Sequence, residues 1–250
     1  MKKSFTLLEL LIVVIIVGIL AFSINFNFFN PSLEAAADQV IKDIRYTQSL
    51  ALKDDKYQPF PKHTCDNSDE GKIECNRSKY WFKQWWQIRF SQNTNDKNWW
   101  YEIFSDQPTA NKKIFDKKGY SPKYLRDISL AKNPLTGKYM IGNCDKNGFP
   151  DCNSSSPRLN LTKTYNIKKI IFINIPHKRL LFDNLGNVFL NEGDSEDSGD
   201  INPIDKDKRI ILTTIGKIQL CLDNNCIKNK DRCIQINITP IGEVYKSLCN

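Results

Sequence analysis

The chain has 250 residues, of which 40% are hydrophobic and 26% are charged, a composition that is typical of folded domains and excludes wholesale disorder. Its formal net charge of +8 permits binding to a polyanion but does not require it. Eight cysteines and only two histidines favour disulfides and leave little material for a histidine-based metal or catalytic centre.

The first predicted element is an apolar segment that directly follows Lys2 and Lys3. Residues 5–24 are 20 positions with one charged side chain, Glu9. A helix of this length measures about 30 Å, enough to cross the hydrocarbon core of a bilayer. The two lysines would stay on the cytoplasmic side, which predicts a single membrane span with the remaining chain outside. A carboxylate inside such a span costs about 3 kcal/mol, so Glu9 is expected either to have a partner or to reach the membrane interface.

The same segment resembles the prepilin leader of type IV pilins and type II secretion pseudopilins. The resemblance rests on residues 2–21, Lys-Lys-Ser-Phe-Thr-Leu-Leu-Glu-Leu-Leu-Ile-Val-Val-Ile-Ile-Val-Gly-Ile-Leu-Ala. It implies that a prepilin peptidase cuts between Ser4 and Phe5 and methylates the new amine of Phe5. It also implies that Glu9 pairs with the N-terminal amine of a neighbouring subunit, since either charge alone is penalised in a dry helical bundle. The family normally has glycine at the position of Ser4, so the serine is expected to affect how efficiently the peptidase cleaves the chain.

The resemblance implies a minor pilin or pseudopilin, that is, a structural subunit of a type IV pilus or a type II secretion filament. The implied partners are other pilin or pseudopilin subunits, the prepilin peptidase and, before assembly, the inner membrane. The implied location is the inner membrane, with a single span and a periplasmic C-terminal domain, followed by the pilus or pseudopilus filament. Two alternatives stay open: a DNA-binding minor pilin for natural transformation, and an unprocessed single-pass membrane-anchored protein. A weaker similarity to H-type pseudopilins and FimT-like minor pilins rests on residues 179–189 and 241–245.

The second predicted element is an amphipathic helix at residues 31–54, after a leader at 1–4 and a transmembrane or filament-core helix at 5–30. Pro31 is expected to kink the chain, and Ser32 is a good N-cap. Apolar residues recur at helical spacing and should pack against a sheet: Leu33, Ala36, Ala37, Val40, Ile41, Ile44 and Ala51. The sequence therefore predicts one long, two-part helix.

Residues 55–250 are predicted to form a periplasmic or extracellular β-rich domain with a loop-rich insertion at about 107–165. Short runs of strand-forming residues alternate with turn-like pieces, at 80–90, 99–104, 169–175, 179–183, 187–190, 209–222, 233–238 and 243–248. Glycines at three of the turns favour tight antiparallel hairpins. The expected fold class is therefore α+β: a long N-terminal helix, with a membrane or filament half and an amphipathic half, packed on an antiparallel sheet and stapled by disulfides.

The cysteines fall in close pairs, which favours disulfides between nearest neighbours: Cys65 with Cys75, Cys144 with Cys152, Cys221 with Cys226, and Cys233 with Cys249. Many other connectivities are possible for eight cysteines. An alternative is a zinc site at His63, Cys65 and Cys75, which would need a fourth ligand.

An acidic stretch at residues 194–205 partly matches a calcium-binding loop, with a glycine at its sharp turn. The candidate oxygen ligands are Asp194, Glu196, Ser198, Asp200, Asn202 and Asp205. The alternative is a solvated acidic loop without a ligand, and no other cofactor is expected.

Five tryptophans lie beside basic residues: Trp81, Trp85, Trp86, Trp99 and Trp100. Such a pattern can stack single-stranded nucleic acid, but burial of large rings in a sheet is the commoner explanation. A second group of basic residues, between 206 and 232, is either a polyanion-binding face or a solubilising surface. The sequence has no glycine-rich phosphate loop, nucleophile elbow or histidine–carboxylate pair at readable spacing, so an enzyme is not expected.

Overall fold

The computed structural model describes residues 7–24, 31–54, 57, 59–62, 65–79, 81, 84–105, 130–144, 150–191, 209–226 and 232–249. Within these ranges the α-helices are α1 (Leu7–Ile24), α2 (Pro31–Lys53), α3 (Asp69–Lys79) and α4 (Leu161–Tyr165). The strands are β1 (Trp86–Gln92), β2 (Trp99–Ser105), β3 (Lys169–Ile173), β4 (Arg179–Phe182), β5 (Val188–Asn191), β6 (Arg209–Ile211), β7 (Gly216–Cys221), β8 (Cys233–Ile238) and β9 (Val244–Leu248).

The N-terminal part of the chain contains two separate helices and not the long helix that the sequence predicted. α1 has 18 residues and ends at Ile24, whereas α2 begins at Pro31, and residues 25–30 lie outside the described ranges. Pro31 lacks the N–H that would continue a hydrogen-bond ladder from an earlier turn, so it suits the first position of a new helix. The predicted fold class is therefore wrong in its helical part. The antiparallel β-domain with disulfides is present.

Among the helices that the structure describes, none is both long enough and apolar enough to cross a membrane. The predicted location, a single span in the inner membrane with a periplasmic domain, is therefore wrong.

The described strands of the β-domain form two antiparallel sheets. The five-stranded sheet has the order β2-β1-β4-β5-β6, and the four-stranded sheet has the order β3-β7-β8-β9. Residues 209–222 were predicted to form a tight hairpin with its turn at residues 213–216, but they form β6 in the first sheet and β7 in the second. The chain changes sheets between them, where Leu212 is buried and residues 213–215 are exposed.

α2 lies between the two sheets and forms the centre of the core. It contacts β1 and β4 of the first sheet and β7, β8 and β9 of the second. The seven apolar residues predicted from helical spacing are all buried, with 0–8% of their surface exposed, which confirms the amphipathic pattern. Full burial of a valine, leucine or isoleucine contributes about 1.5–3 kcal/mol, so this stripe holds the two sheets together.

Polar contacts fix α2 to the turns and strand ends of both sheets. Arg45 Nη2 donates a hydrogen bond to the backbone oxygen of Val244 at 2.7 Å, and Gln48 Nε2 donates to that of Gly186 at 2.9 Å. On the surface, Lys246 Nζ lies 2.6 Å from Glu34 Oε2 and 2.8 Å from Asp38 Oδ1. These contacts determine where α2 lies along its own axis. Apolar packing alone determines this position less precisely, because it is not directional.

The predicted insertion at 107–165 is partly packed against the five-stranded sheet. Isolated backbone bridges join Leu130 to Phe104 and Ile141 to Glu102 on β2. A small second core forms there from Trp100, Phe104, Leu130, Tyr139 and Ile141. Residues 106–129 and 145–149 lie outside the described ranges.

Candidate assembly surface

α1 exposes apolar side chains on every face of its first half. The described side chains, Leu7, Leu8 and residues 10–17, are all leucine, isoleucine or valine and are 47–83% exposed. Residues 10–17 are consecutive and make more than two helical turns, so this stretch has no polar face. The largest apolar patch on a soluble monomer is usually below about 600 Å². These ten side chains, called the α1 surface below, therefore form a surface that favours a covering partner.

Glu9 lies in α1 between Leu8 and Leu10, which are 68% and 61% exposed. The side chain of Glu9 and the whole of Ser4 and Phe5 lie outside the described part of the chain. The predicted cleavage and the predicted pairing of Glu9 therefore stay predictions.

A buried carboxylate, Asp43, links α2 to β2 and to Arg158. The Tyr101 hydroxyl donates to Asp43 Oδ2 at 2.7 Å, and Gln39 Nε2 donates to the same oxygen at 2.7 Å. Arg158 Nη2 lies 3.7 Å from Asp43 Oδ1. Asp43 is 1% exposed and Tyr101 is fully buried, so both groups depend on these partners for stabilisation.

The electrostatics of this cluster follow from its burial. Burial raises the pKa of Asp43, against the opposing effects of the hydrogen bonds from Tyr101 and Gln39 and the charge of Arg158. Burial and the neighbouring Asp43 carboxylate raise the pKa of Tyr101 well above its ordinary value. Tyr101 is therefore a permanent hydrogen-bond donor. We interpret the cluster as a structural link between α2 and the five-stranded sheet.

The sequence analysis did not identify Asp43 as a buried residue of α2, although the structure places it among the apolar residues of the buried stripe. Asp43 follows Val40 by three positions and precedes Ile44, and both of these residues are fully buried. Thr47, four positions later, is also buried and donates its hydroxyl to the backbone oxygen of Asp43 at 2.7 Å. A charged residue at a core position of an amphipathic helix was the signal that could have identified this cluster.

The structure has four disulfides: Cys65–Cys75, Cys144–Cys152, Cys221–Cys226 and Cys233–Cys249. These are the nearest-neighbour pairs that the sequence favoured. Cys65 and Cys75 are bonded to each other, and His63 of the alternative zinc site lies outside the described ranges. The last two disulfides lie together in one buried group.

Three of the five tryptophans belong to the core. Trp86, Trp99 and Trp100 lie on β1 and β2 and are 5–7% exposed, so they are not available for base stacking. Trp81 contacts the ring of Tyr57 and Trp85 contacts that of Phe189, at centroid distances of 4.9 and 4.6 Å. These positions fit the packing interpretation, and DNA binding stays a prediction.

The other two candidate sites lie largely outside the described ranges. The acidic stretch at 194–205 is not among the described residues, so calcium binding stays a prediction. Of the second basic group, Arg232 is 57% exposed and its Nε lies 3.7 Å from Asp223 Oδ2.

Comparison of the chain with protein-family models, with curated proteins and with solved structures finds no match. The case for a function therefore rests on the residues of this chain and on the resemblance of residues 2–21.

Proposed function

We propose that this chain is a structural subunit of a helical filament of the type IV pilin or pseudopilin kind, and that it assembles through α1. The observation that supports this proposal is the α1 surface, which is apolar on all sides and exposed. The β-domain does not supply its cover, because these ten side chains are 47–83% exposed.

The energy available from covering α1 favours a bundle over a simple pair. Full burial of such a side chain contributes about 1.5–3 kcal/mol, so ten half-exposed side chains supply on the order of 10 kcal/mol. Association itself costs about 4–15 kcal/mol, so one neighbour that covers one face gives a marginal complex. A helix that is apolar on all sides is typical of a buried position, and several α1 helices packed around one another bury every face.

Glu9 gives this bundle a means of setting its register. It is the single charged side chain within residues 5–24, and an unpaired carboxylate is costly in a dry bundle. Cleavage between Ser4 and Phe5 would create an amine near the same end of the helix, and the amine of a neighbouring subunit is the proposed partner. Such a pair contributes mainly to specificity, because its attraction is largely offset by the cost of desolvating both charges.

A pair of matched lysine substitutions tests the role of α1. Val13 is 50% exposed on α1 and Leu135 is 86% exposed on the β-domain. Sedimentation velocity and negative-stain electron microscopy of the full chain, after dilution from detergent, should show assemblies for the wild type and for Leu135→Lys. Val13→Lys should remain monomeric, because a buried unpaired lysine opposes packing of the bundle. Assembly of Val13→Lys at the wild-type concentration would contradict the proposal.

The proposed processing has a separate test. After co-expression with a prepilin peptidase, intact-mass measurement should show the loss of residues 1–4 and the gain of one methyl group. Ser4→Gly, which restores the residue usual in the family, should be processed at least as completely. An unchanged mass for both chains would show that the peptidase does not act here.

A further inference from the structure

Four cysteine sulfurs meet at one end of the four-stranded sheet. Cys221 and Cys233 are cross-strand partners on β7 and β8, and Cys249 directly follows β9. The Cys233 sulfur lies 3.7 Å from the Cys221 sulfur and 3.8 Å from the Cys226 sulfur, and neither pair is bonded. The sulfurs of Cys221, Cys226 and Cys233 all lie within 4.8 Å of one another, and Cys249 is bonded to Cys233.

The two unbonded separations from the Cys233 sulfur match edges of the tetrahedron that four thiolates form around a zinc ion. With Zn–S bonds of about 2.3 Å, the edge of such a tetrahedron is about 3.8 Å. The four residues between Cys221 and Cys226 also fall within the usual spacing of a zinc-binding cysteine pair. We propose that, when its cysteines are reduced, the chain binds one Zn²⁺ ion through the thiolates of Cys221, Cys226, Cys233 and Cys249.

The backbone holds three of these ligands in place independently of the disulfides. The β7–β8 ladder runs from Gly216 opposite Ile238 to Cys221 opposite Cys233. The β8–β9 ladder pairs Ile234 with Leu248, which places Cys249 beside Cys233. Reduction therefore leaves the cysteines close together, because hydrogen bonds between strands and not the S–S bonds set their spacing.

The surroundings of the sulfurs suit a closed, structural site. All four cysteines are buried, with 0–8% of their surface exposed, and Ile171 packs against them. Four cysteine ligands in a dry setting are typical of structural zinc, whereas a catalytic zinc ion keeps a position open to water.

The disulfide form and the zinc form exclude each other, because a sulfur bonded to another sulfur is not a thiolate. A phosphine converts the disulfide form into the thiol form: each S–S bond is reduced to two thiols, and the phosphine is oxidised to its oxide. Water supplies the oxygen of the oxide and the two thiol protons. Zinc binding then releases the thiol protons.

Metal binding by the reduced full chain tests the proposal. After anaerobic reduction with a water-soluble phosphine, titration with Co²⁺ should give the absorption of tetrahedral cobalt with thiolate ligands, at one ion per chain. One equivalent of Zn²⁺ should abolish that absorption. The oxidised chain should bind neither ion at this site.

Two matched variants separate this cluster from the other four cysteines. The first variant should keep the cobalt spectrum and the stoichiometry, because serine replaces only the cysteines outside the cluster: Cys65, Cys75, Cys144 and Cys152. The second variant should lose the spectrum, because serine replaces all four proposed ligands: Cys221, Cys226, Cys233 and Cys249. Because either quadruple variant can fail to fold, Cys226→Ser alone is the second measurement, and it should lose the four-thiolate spectrum. Absence of a stoichiometric ion in the reduced wild type, or an unchanged spectrum in Cys226→Ser, would overturn the proposal.

Discussion

Removal of the Tyr101 hydroxyl tests whether the Asp43 cluster stabilises the position of α2. Tyr101→Phe keeps the ring, which packs against Phe90 at a centroid distance of 5.2 Å, and removes one hydrogen bond of 2.7 Å to Asp43 Oδ2. Tyr101 is 0% and Asp43 1% exposed, so bulk water is not in contact with the carboxylate to replace the lost donor. A hydrogen bond to a charged group contributes about 1.5–3 kcal/mol, so the free energy of unfolding should fall by about 2 kcal/mol. Gln39 still donates to the carboxylate, which keeps the loss below the roughly 3–5 kcal/mol expected when a buried charge is left without a partner.

Urea unfolding of the oxidised full chain, followed by tryptophan fluorescence, measures this loss. A fixed concentration of non-ionic detergent shields the α1 surface during the measurement. The control is Tyr245→Phe on β9, where the side chain is 41% exposed and the expected change is below about 0.5 kcal/mol. If Tyr101→Phe differs from the wild type by no more than this control, the hydroxyl does not stabilise the fold as argued.

Three further substitutions test other contacts by the same unfolding assay. Burial raises the pKa of Asp43 above its ordinary value of 3.8, so the folded chain binds that proton more tightly than the unfolded chain. This contribution to the free energy of unfolding is fully present below pH 3.8 and is lost as the pH rises through the folded-state pKa of Asp43. Asp43→Asn should therefore make the free energy of unfolding depend less on pH over this range. Gly242→Ala should destabilise more than Gly137→Ala, although both glycines have positive φ, +82° and +68°. A Cβ at Gly242 would clash with Gln48 Nε2 and displace its hydrogen bond to Gly186, whereas nothing lies within 4 Å of a Cβ at Gly137. Lys246→Met removes contacts to two carboxylates on α2 from a side chain that is 39% exposed, so it should cost less than about 1 kcal/mol, and less still in high salt. The role of Asp43 is contradicted if Asp43→Asn leaves the pH dependence of unfolding unchanged. The clash at Gly242 is contradicted if the two glycine variants lose equal stability, and the Lys246 contacts are contradicted if the loss in Lys246→Met does not depend on salt.

The features that the sequence predicted correctly depend on residues close together in the chain. Helical spacing identified the buried stripe of α2, because seven apolar residues between Leu33 and Ala51 repeat at the period of one helix face. Short separations likewise favoured the disulfide pairs now seen, such as Cys221 with Cys226 across a single turn. Hairpin patterns also placed most strands near their observed positions, since adjacent strands in these sheets often follow one another in sequence.

The features that the sequence did not predict depend on contacts between distant residues. Residues 209–222 were predicted to form a tight hairpin, because the local pattern does not show that β6 and β7 pair with different neighbours. The link from Asp43 to Arg158 joins segments that only the folded sheets bring together. The sequence predicted a kink at Pro31 within one long helix, but helical patterns on both sides of a proline do not show whether the two halves form one helix or two.

The most direct test of the proposed function is to replace Glu9 with alanine in the processed chain. If α1 associated only through non-specific apolar contact, Glu9→Ala would strengthen association, because it makes the helix more apolar. If the Glu9 carboxylate sets the register, Glu9→Ala should instead abolish the regular order of the filament. Electron microscopy combined with sedimentation should therefore show ordered filaments for the wild type, and monomers or irregular aggregates for Glu9→Ala. Filaments of Glu9→Ala with the wild-type helical repeat would contradict the proposal that this carboxylate sets the register.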